Sequence, residues 1–442
     1  MTDRSRVERQ RKLLTASVTD FEIKRQKAFL VSVVTSTSAI PEAEASLNEL
    51  ALLTDTAGSD PVFDVVVRRT TFDAGTLMGR PRAEALAQQA TDLDIDVVIL
   101  DNELSPGQQR NLEEIFKCDV VDRVGLILDI FAQHAHSSDG ILQVELAQHR
   151  YRLPRLKGQG KELSRVGGGV GSSGIGTRGA GETKLETDRR RVLNRIHKVE
   201  RLLEGLAGDR RTRSKSRKKA GLAFLSIVGY TNAGKSTLFN KLTGADVLVE
   251  DQLFATLDST VRKLALPNGH DALVSDTVGF VRRLPHQLIK AFAATLEEVA
   301  DADVLLHVVD ASDADPDQQI ESVRTVLREI GASDIEELLV FNKVDVAPAA
   351  AVQRLLTLHP GSIAVSAVTG EGIDKLLDAA LVALRAGTVE VRLLVPYAKG
   401  DVVAKLHEDA EVLSVEHGER GTLVTALIPA ADMAQYARYV QV

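Results

Sequence analysis

The sequence predicts an α/β protein of several domains: a small α/β unit, an antiparallel helical hairpin, a larger α/β unit and a small α+β domain. Three observations carry this. Short apolar runs alternate with helix-spaced segments, first from Ala28 and again from Leu222. Between those blocks, apolar residues recur at three- and four-residue intervals, as along a helix seam. The tail from Val389 reads strand, helix, hairpin, helix. A chain of 442 residues, 44% hydrophobic with 12 prolines, also exceeds what one core serves. The expected divisions are a charged leader at 1–25, an α/β unit at 26–121, the hairpin at 122–220, the larger α/β domain at 221–387 and the α+β domain at 388–442.

In the first unit, Phe29 to Val34, Val62 to Val67 and Asp96 to Leu100 read as strands. Pro41 to Thr56 and Arg82 to Thr91 read as helices. Ser105-Pro106 opens a further helix, serine capping and proline fitting the first turn. Such alternation implies a small, mostly parallel sheet. It contains no phosphate loop of its own.

The hairpin follows. Leu142, Leu146, His149 and Leu153 share one helix face, and Val192, Ile196, Val199, Leu203 and Leu206 repeat at 4-3-4-3 spacing on the other helix. Thr183 and Glu186 have the spacing of a capping box. The tip, 154–182, mixes many glycines with Arg155, Lys157, Lys161, Arg165 and Arg178. A cationic, glycine-rich tip lets backbone approach phosphates and order on RNA. Arg189, Arg190 and Arg191 add charge beside it, and Arg210 to Ala220 reads as a basic linker. From Arg150 to Ala220 there are 21 Lys/Arg against 7 Asp/Glu. The whole chain carries −8. A basic block on an acidic body is the pattern of a directed polyanion contact.

The larger α/β domain carries the chemistry. Gly229-Tyr230-Thr231-Asn232-Ala233-Gly234-Lys235-Ser236-Thr237 follows an apolar run and precedes a helix. This is the strand, glycine loop and helix of a phosphate-binding P-loop. Its amides face anionic oxygens, Lys235 reaches the β- and γ-phosphates, and the Ser236 hydroxyl suits Mg²⁺. Asn342-Lys343-Val344-Asp345 ends another apolar run. A carboxylate at Asp345 accepts from the ring N–H and exocyclic amine of guanine, a donor pair adenine lacks. Lys343 would lie across the base, Asn342 would brace the loop, and Ser366-Ala367 would offer a backbone N–H to the guanine carbonyl. GTP and GDP are therefore the expected ligands.

Asp276-Thr277-Val278-Gly279 supplies the γ-phosphate sensor: Asp276 for Mg²⁺ through water, the Gly279 amide for the phosphate. Lys235, Asp276 and Gly279 are the expected catalytic set. Thr256 is the expected second hydroxyl on Mg²⁺, with Thr260 nearby. Segments 245–260 and 277–287 are then the two switches, joined by a hairpin turning at Asn268-Gly269. Phe280 stands where many GTPases place a water-orienting glutamine. Another group or a partner must align the water. Asn232 resembles the P-loop asparagine of GTPases that hold K⁺ beside the phosphates.

Other function classes are disfavoured. No apolar run is long enough for a transmembrane helix, and the charged N-terminus has no signal-peptide core. One cysteine, Cys118, allows neither an internal disulfide nor a cysteine metal cluster. A cytoplasmic monomer is expected.

Several phrases together resemble the HflX family of translational GTPases. They are Asp101 to Pro106 with Gln108 to Asn111, Asp122 to Ala132, Gly140 to Pro154, Gly181 to Arg190, and the GTPase motifs above. The resemblance spans roughly residues 28–440. Two stretches depart from it: the glycine loop is longer around Gly171 to Gly174, and Gly75 to Arg82 is off-pattern. The resemblance implies a protein that binds the large ribosomal subunit, its N-terminal domain reaching toward rRNA near the peptidyl-transferase centre. It implies that the GTP form splits stalled or idle ribosomes and that hydrolysis permits release. The alternatives are a large-subunit assembly or RNA-binding GTPase without splitting activity, and an RNA-modification partner, which the lack of a C-terminal cysteine disfavours.

Overall fold

The computed structural model of the chain describes residues 25–158, 180–219, 222–245, 253–254, 256, 259–269, 271–282, 293–386, 388–429 and 432–441. The N-terminal unit runs β1 (Gln26–Val34), α1 (Ile40–Thr56), β2 (Ser59–Arg68), α2 (Arg80–Asp92), β3 (Val97–Leu100), α3 (Pro106–Phe116), β4 (Asp119–Asp122) and α4 (Arg123–His134). Its four strands are parallel in the order β2-β1-β3-β4. Strand periodicity sorts the core. Ala28 and Leu30 face α1 and α4, while Phe29, Val31 and Val33 face α2 and α3. Ser105 caps α3 as expected, and Gln108 closes a reciprocal capping box.

Strand β4 and helix α4 extend this unit beyond the sequence reading. Val124, Ile127, Ile130 and Phe131 of α4 pack with Leu47 and Leu50 of α1. The expected break at 121/122 therefore falls inside one packed body, which ends near His134. Asp122 starts α4, its Oδ1 accepting from Gly125 N at 2.9 Å.

The hairpin pairs α5 (Ser138–Arg152) with α6 (Ala180–Lys219). Leu142, Leu146 and Leu153 meet Val192, Ile196, Val199 and Leu203 along the expected seam. Arg195 donates to Glu145 at 2.7 Å and Arg150 to Glu200 at 2.8 Å across it. Helix α6 has 40 residues, about 60 Å at 1.5 Å per residue. It begins at Ala180, so Thr183 lies within the helix and is not its cap. It continues through Lys219, so the basic run from Arg210 is helix and not linker. The Arg217 guanidinium lies 3.8 Å over the Phe224 ring and donates to the Asp301 carbonyl at 3.2 Å. Helix α6 is thereby tied to the next domain.

Arg155 is also a correction. Expected on the RNA-facing tip, it packs against the N-terminal unit just beyond α5, with its side chain 18% exposed. It donates to Asp122 at 3.0 Å, to Gln109 at 2.9 Å and to the Leu104 and Tyr151 carbonyls, and it covers the Tyr151 ring at 3.5 Å. Arg165 and Arg178 lie outside the described residues, as does the Lys157 side chain. Arg189, Arg190 and Arg191 are exposed on α6.

The larger domain runs β5 (Ala223–Gly229), α7 (Lys235–Thr243), β6 (Thr260–Ala265), β7 (Asp271–Asp276), α8 (Ala293–Ala300), β8 (Val304–Asp310), α9 (Pro316–Glu329), β9 (Glu336–Asn342), α10 (Ala349–Leu358), β10 (Ile363–Ala364) and α11 (Ile373–Arg385). The sheet order is β10-β9-β8-β5-β7-β6, parallel except for the β6–β7 hairpin. Open sheets of this kind bind ligands at the carboxyl ends of their strands. The C-terminal unit is an antiparallel sheet, β11 (Thr388–Val395), β12 (Glu411–Gly418) and β13 (Gly421–Pro429), ordered β11-β13-β12. Leu406 of α12 (Gly400–Asp409) and Tyr436 of α13 (Met433–Tyr436) cover it. No described helix is long and apolar enough to cross a membrane.

Asp122 is the joint between the first unit and the hairpin. Only 1% exposed, it accepts from Gly125 N, from Tyr151 OH at 2.7 Å, from Leu104 N at 3.0 Å and from Arg155. Removing a buried carboxylate leaves its donors unpaired. Asp122→Ala is expected to lower stability by about 3 kcal/mol or more, measured by urea unfolding of the full chain. A loss near zero would contradict this role.

Candidate functional site

Strand β5 ends at Gly229, and the following turn delivers the chain into α7 at Lys235. Gly234 sits at φ 85°, where a Cβ would lie 2.3 Å from Asn342 Nδ2, so no side chain fits. Asn232 takes φ 58° and is exposed. Lys235 is 6% exposed, and its Nζ donates to the Tyr230 carbonyl at 2.8 Å. Burial lowers its pKa to about 8, opposed by the charge of Asp276.

The expected metal residues converge. Ser236 Oγ lies 2.7 Å from Thr256 Oγ1 and donates to Asp276 Oδ2 at 2.6 Å. Thr260, the sequence alternative to Thr256, begins β6 and pairs with Asp276 in register. Asp276 is fully buried, and that burial raises its pKa against the Ser236 hydrogen bond and the Lys235 charge. Its Oδ1 is buried without a hydrogen-bond partner among the described residues. Two hydroxyls and a carboxylate with a spare oxygen are hard donors that fit Mg²⁺. The described residues hold no cluster of three His, Cys, Asp or Glu for a softer ion.

At the ends of β9 and β10 lies a cleft of about 200 Å³, lined by Gly234, Thr237, Asn342, Lys343, Asp345, Val346, Ala367 and Val368. Asn342 is 2% exposed and bridges two loops, donating to the Ala233 carbonyl at 2.9 Å and accepting from Ala367 N at 3.0 Å. Lys343 takes φ 63°, and Asp310 Oδ2 holds its Nζ at 2.8 Å. The loop carrying the amides expected to meet the guanine carbonyl borders this cleft at Ala367. Ser366 N donates to the Glu371 carbonyl at 2.9 Å and Ala367 N to Asn342, so both are engaged inside the loop. Sequence reading missed Asp310, Val346 and Val368. The aspartate belongs to another strand, and the two valines carry no chemical signature.

The site is closed on one side by the N-terminal unit, which sequence did not show. Thr231 N donates to the Phe280 carbonyl at 2.7 Å and Phe280 N to the Gly229 carbonyl at 3.1 Å, joining switch II to the P-loop. Tyr230 OH donates to Glu49 Oε2 of α1 at 2.8 Å. Arg282 N donates to Tyr230 OH at 2.6 Å and to Glu49 Oε1 at 3.2 Å. Burial first, then Glu49, raises the Tyr230 pKa. Arg123 pairs with Glu49 at 3.1 Å and with Asp101 at 2.8 Å, its side chain 2% exposed. From switch I, Leu253 N donates to Thr56 Oγ1 at 3.4 Å, and the Phe254 ring stands 4.6 Å from that of Phe131. The sequence offered one faint signal for Glu49: a charge set among Leu47, Leu50 and Leu53.

A phosphate loop, a bracing asparagine before a guanine-type carboxylate, and two switch segments at one sheet end define a P-loop GTPase. Family models match along the chain: the GTP-binding GTPase N-terminal domain at 44–132, its middle region at 134–217, a 50S ribosome-binding GTPase domain at 224–343 and the HflX C-terminal domain at 351–436. The GTPase HflX of Caldanaerobacter subterraneus is 45% identical over 406 residues, 91% of each chain. That of Escherichia coli is 42% identical over 364 residues, 82% of this chain and 84% of the other. The solved complex of SsGBP with GDP has a TM-score of 0.44 at 25% identity, covering 81% of this chain and 98% of that one. The chain belongs to the HflX family of GTPases and hydrolyses GTP.

Glu49 and Tyr230 are 181 residues apart in sequence yet share a buried hydrogen bond. A double-mutant cycle with Glu49→Gln and Tyr230→Phe is expected to give a coupling energy of about 1 kcal/mol, read from unfolding of the full chain. Strict additivity would contradict the contact.

Proposed function

We propose that this chain is a translation GTPase whose GTP form binds the large ribosomal subunit and separates stalled or idle ribosomes, hydrolysis then permitting release. The observation that carries this reading is that both switches rest on the N-terminal unit, through Glu49, Thr56 and Phe131. A γ-phosphate that reorders the switches must therefore act on that unit and on the basic hairpin joined to it at Asp122. The match to a 50S ribosome-binding GTPase domain and the exposed Arg189, Arg190 and Arg191 point to ribosomal RNA as the partner. Lys157, Arg165 and Arg178 remain RNA contacts in this reading. The protein acts as a monomer, partly ribosome-associated in the cytoplasm.

In the site, amides from Gly229 to Thr237 wrap the phosphates and Lys235 neutralises the β- and γ-oxygens. The Gly279 amide meets the γ-phosphate. Ser236, Thr256 and, through water, Asp276 would hold Mg²⁺, which when bound offsets charge on the phosphates. Asp345 reads guanine, with Lys343 fixed over the base by Asp310. Asn232 and the phosphates form a seat for K⁺.

Purified chain with GTP is expected to convert 70S ribosomes to subunits, and large subunits alone are expected to raise GTP turnover. Stimulation without subunit separation would favour the assembly-factor reading, and no stimulation by either subunit would reject both. Asp345→Asn replaces an acceptor pair with a donor, and GTP affinity is expected to fall about 100-fold or more. Turnover is expected to be faster in KCl than in NaCl at equal ionic strength. Equal rates would remove K⁺ from the site.

A further inference from the structure

Hydrolysis requires a water held in line with the γ-phosphorus. Many GTPases use a glutamine after the switch II glycine. Here that residue is Phe280, 1% exposed and packed in the core shared with the N-terminal unit. It cannot turn to the phosphates without opening that core. Its amide is committed too, donating to the Gly229 carbonyl.

Thr231 is placed to supply the missing group. The residue is 6% exposed, and its Oγ1 is buried with no hydrogen-bond partner among the described residues. Leaving a buried hydroxyl unpaired costs about 1–3 kcal/mol, and native proteins keep few such groups. The side chain adjoins the switch II glycine through its methyl group. A Cβ built on Gly279 would lie 2.7 Å from Thr231 Cγ2 and 3.0 Å from Lys235 Nζ. The Thr231 side chain and the phosphate-binding ammonium thus flank one point on the switch II glycine. In the proposed site the Gly279 amide meets the γ-phosphate, so that point adjoins it.

We propose that Thr231 Oγ1 is a catalytic residue for GTP hydrolysis: it donates to a γ-phosphate oxygen and accepts a hydrogen bond from the attacking water. One hydroxyl can do both, having one donor and two acceptor positions. The water oxygen bonds to the γ-phosphorus. The bond from that phosphorus to the β,γ-bridging oxygen breaks, and its electron pair leaves with GDP. The proton lost by water ends on the released phosphate, and Thr231 keeps its own. The partners proposed for the hydroxyl, a γ-phosphate oxygen and the attacking water, are absent from GDP, so its contribution is confined to the GTP and transition states. The proposal deepens the GTPase activity and fails separately from it, since wild-type turnover tests the activity alone.

The test compares Thr231→Val, which keeps shape and removes the hydroxyl, with Thr231→Ser, which keeps the hydroxyl. Single-turnover GTP hydrolysis, GDP affinity and the thermal midpoint are measured on the full chain. The valine variant is expected to hydrolyse GTP about tenfold slower or more, to bind GDP within about twofold of wild type and to unfold no earlier, since it loses an unpaired buried hydroxyl. It is also expected to bind GDP with aluminium fluoride, a mimic of the transferring phosphoryl group, more weakly than wild type. The serine variant is expected to stay within about threefold of the wild-type rate, because the hydroxyl chemistry persists. Wild-type turnover by the valine variant would overturn the proposal. So would equal slowing of both variants, or a loss of GDP affinity matching the loss of rate, either of which marks a packing role.

Discussion

The Glu49 carboxylate is the contact on which the rest of this structure depends. It is 9% exposed and stands between the N-terminal unit and the nucleotide loops. Arg123 meets it from its own domain, while Tyr230 OH and the Arg282 amide meet it from the other. A buried carboxylate is tolerable only when such partners are all in place. Arg123 in turn needs Asp101, which also accepts from Ser46 at 2.9 Å. The set is therefore assembled only when P-loop, switch II and N-terminal unit are seated together. Phe254 against Phe131 adds an apolar clasp from switch I.

Arg123 and Asp122 are neighbours in sequence and hold different things. Arg123 faces the nucleotide loops through Glu49, and Asp122 holds the C-terminal end of α5 through Tyr151 and Arg155. The peptide between them joins the two networks. At the far end of α6, Arg217 returns to the GTPase domain at Phe224 and Asp301. The hairpin is thus anchored near its loop end at Tyr151 and Arg155 and at the C-terminal end of α6. Contact continuity of this kind provides a physical route by which the proposed reordering of the switches would reach the hairpin.

The parts legible in sequence were those whose chemistry is local. A P-loop needs its glycines, lysine and serine in one contiguous turn, so Gly229 to Ser236 is readable without a fold. Continuous apolar runs exposed β1 and β3, because each side of the sheet is buried. The same reading failed where long-range packing decides. Helix α4 is apolar on most faces, and only its burial beneath β1 and β3 shows which unit owns it. Arg210 to Lys219 looks like linker by charge, yet the helix continues because Arg210 and Arg217 find partners. Arg155 carries the charge of an RNA contact but spends its donors on Asp122, Gln109 and two carbonyls. Glu49 lay hidden because its partners are far away in the chain.

In the proposed function the bound nucleotide sets the position of the N-terminal unit through the loops resting on Glu49. Spin labels at Leu52 on α1 and Val382 on α11, both exposed, report that position in a Cys118→Ala background. Distances are measured by pulsed electron resonance with GDP and with a non-hydrolysable GTP analogue. Two distinct distance distributions are expected, which Glu49→Gln brings closer together. Identical distributions in both nucleotide states would contradict this expectation.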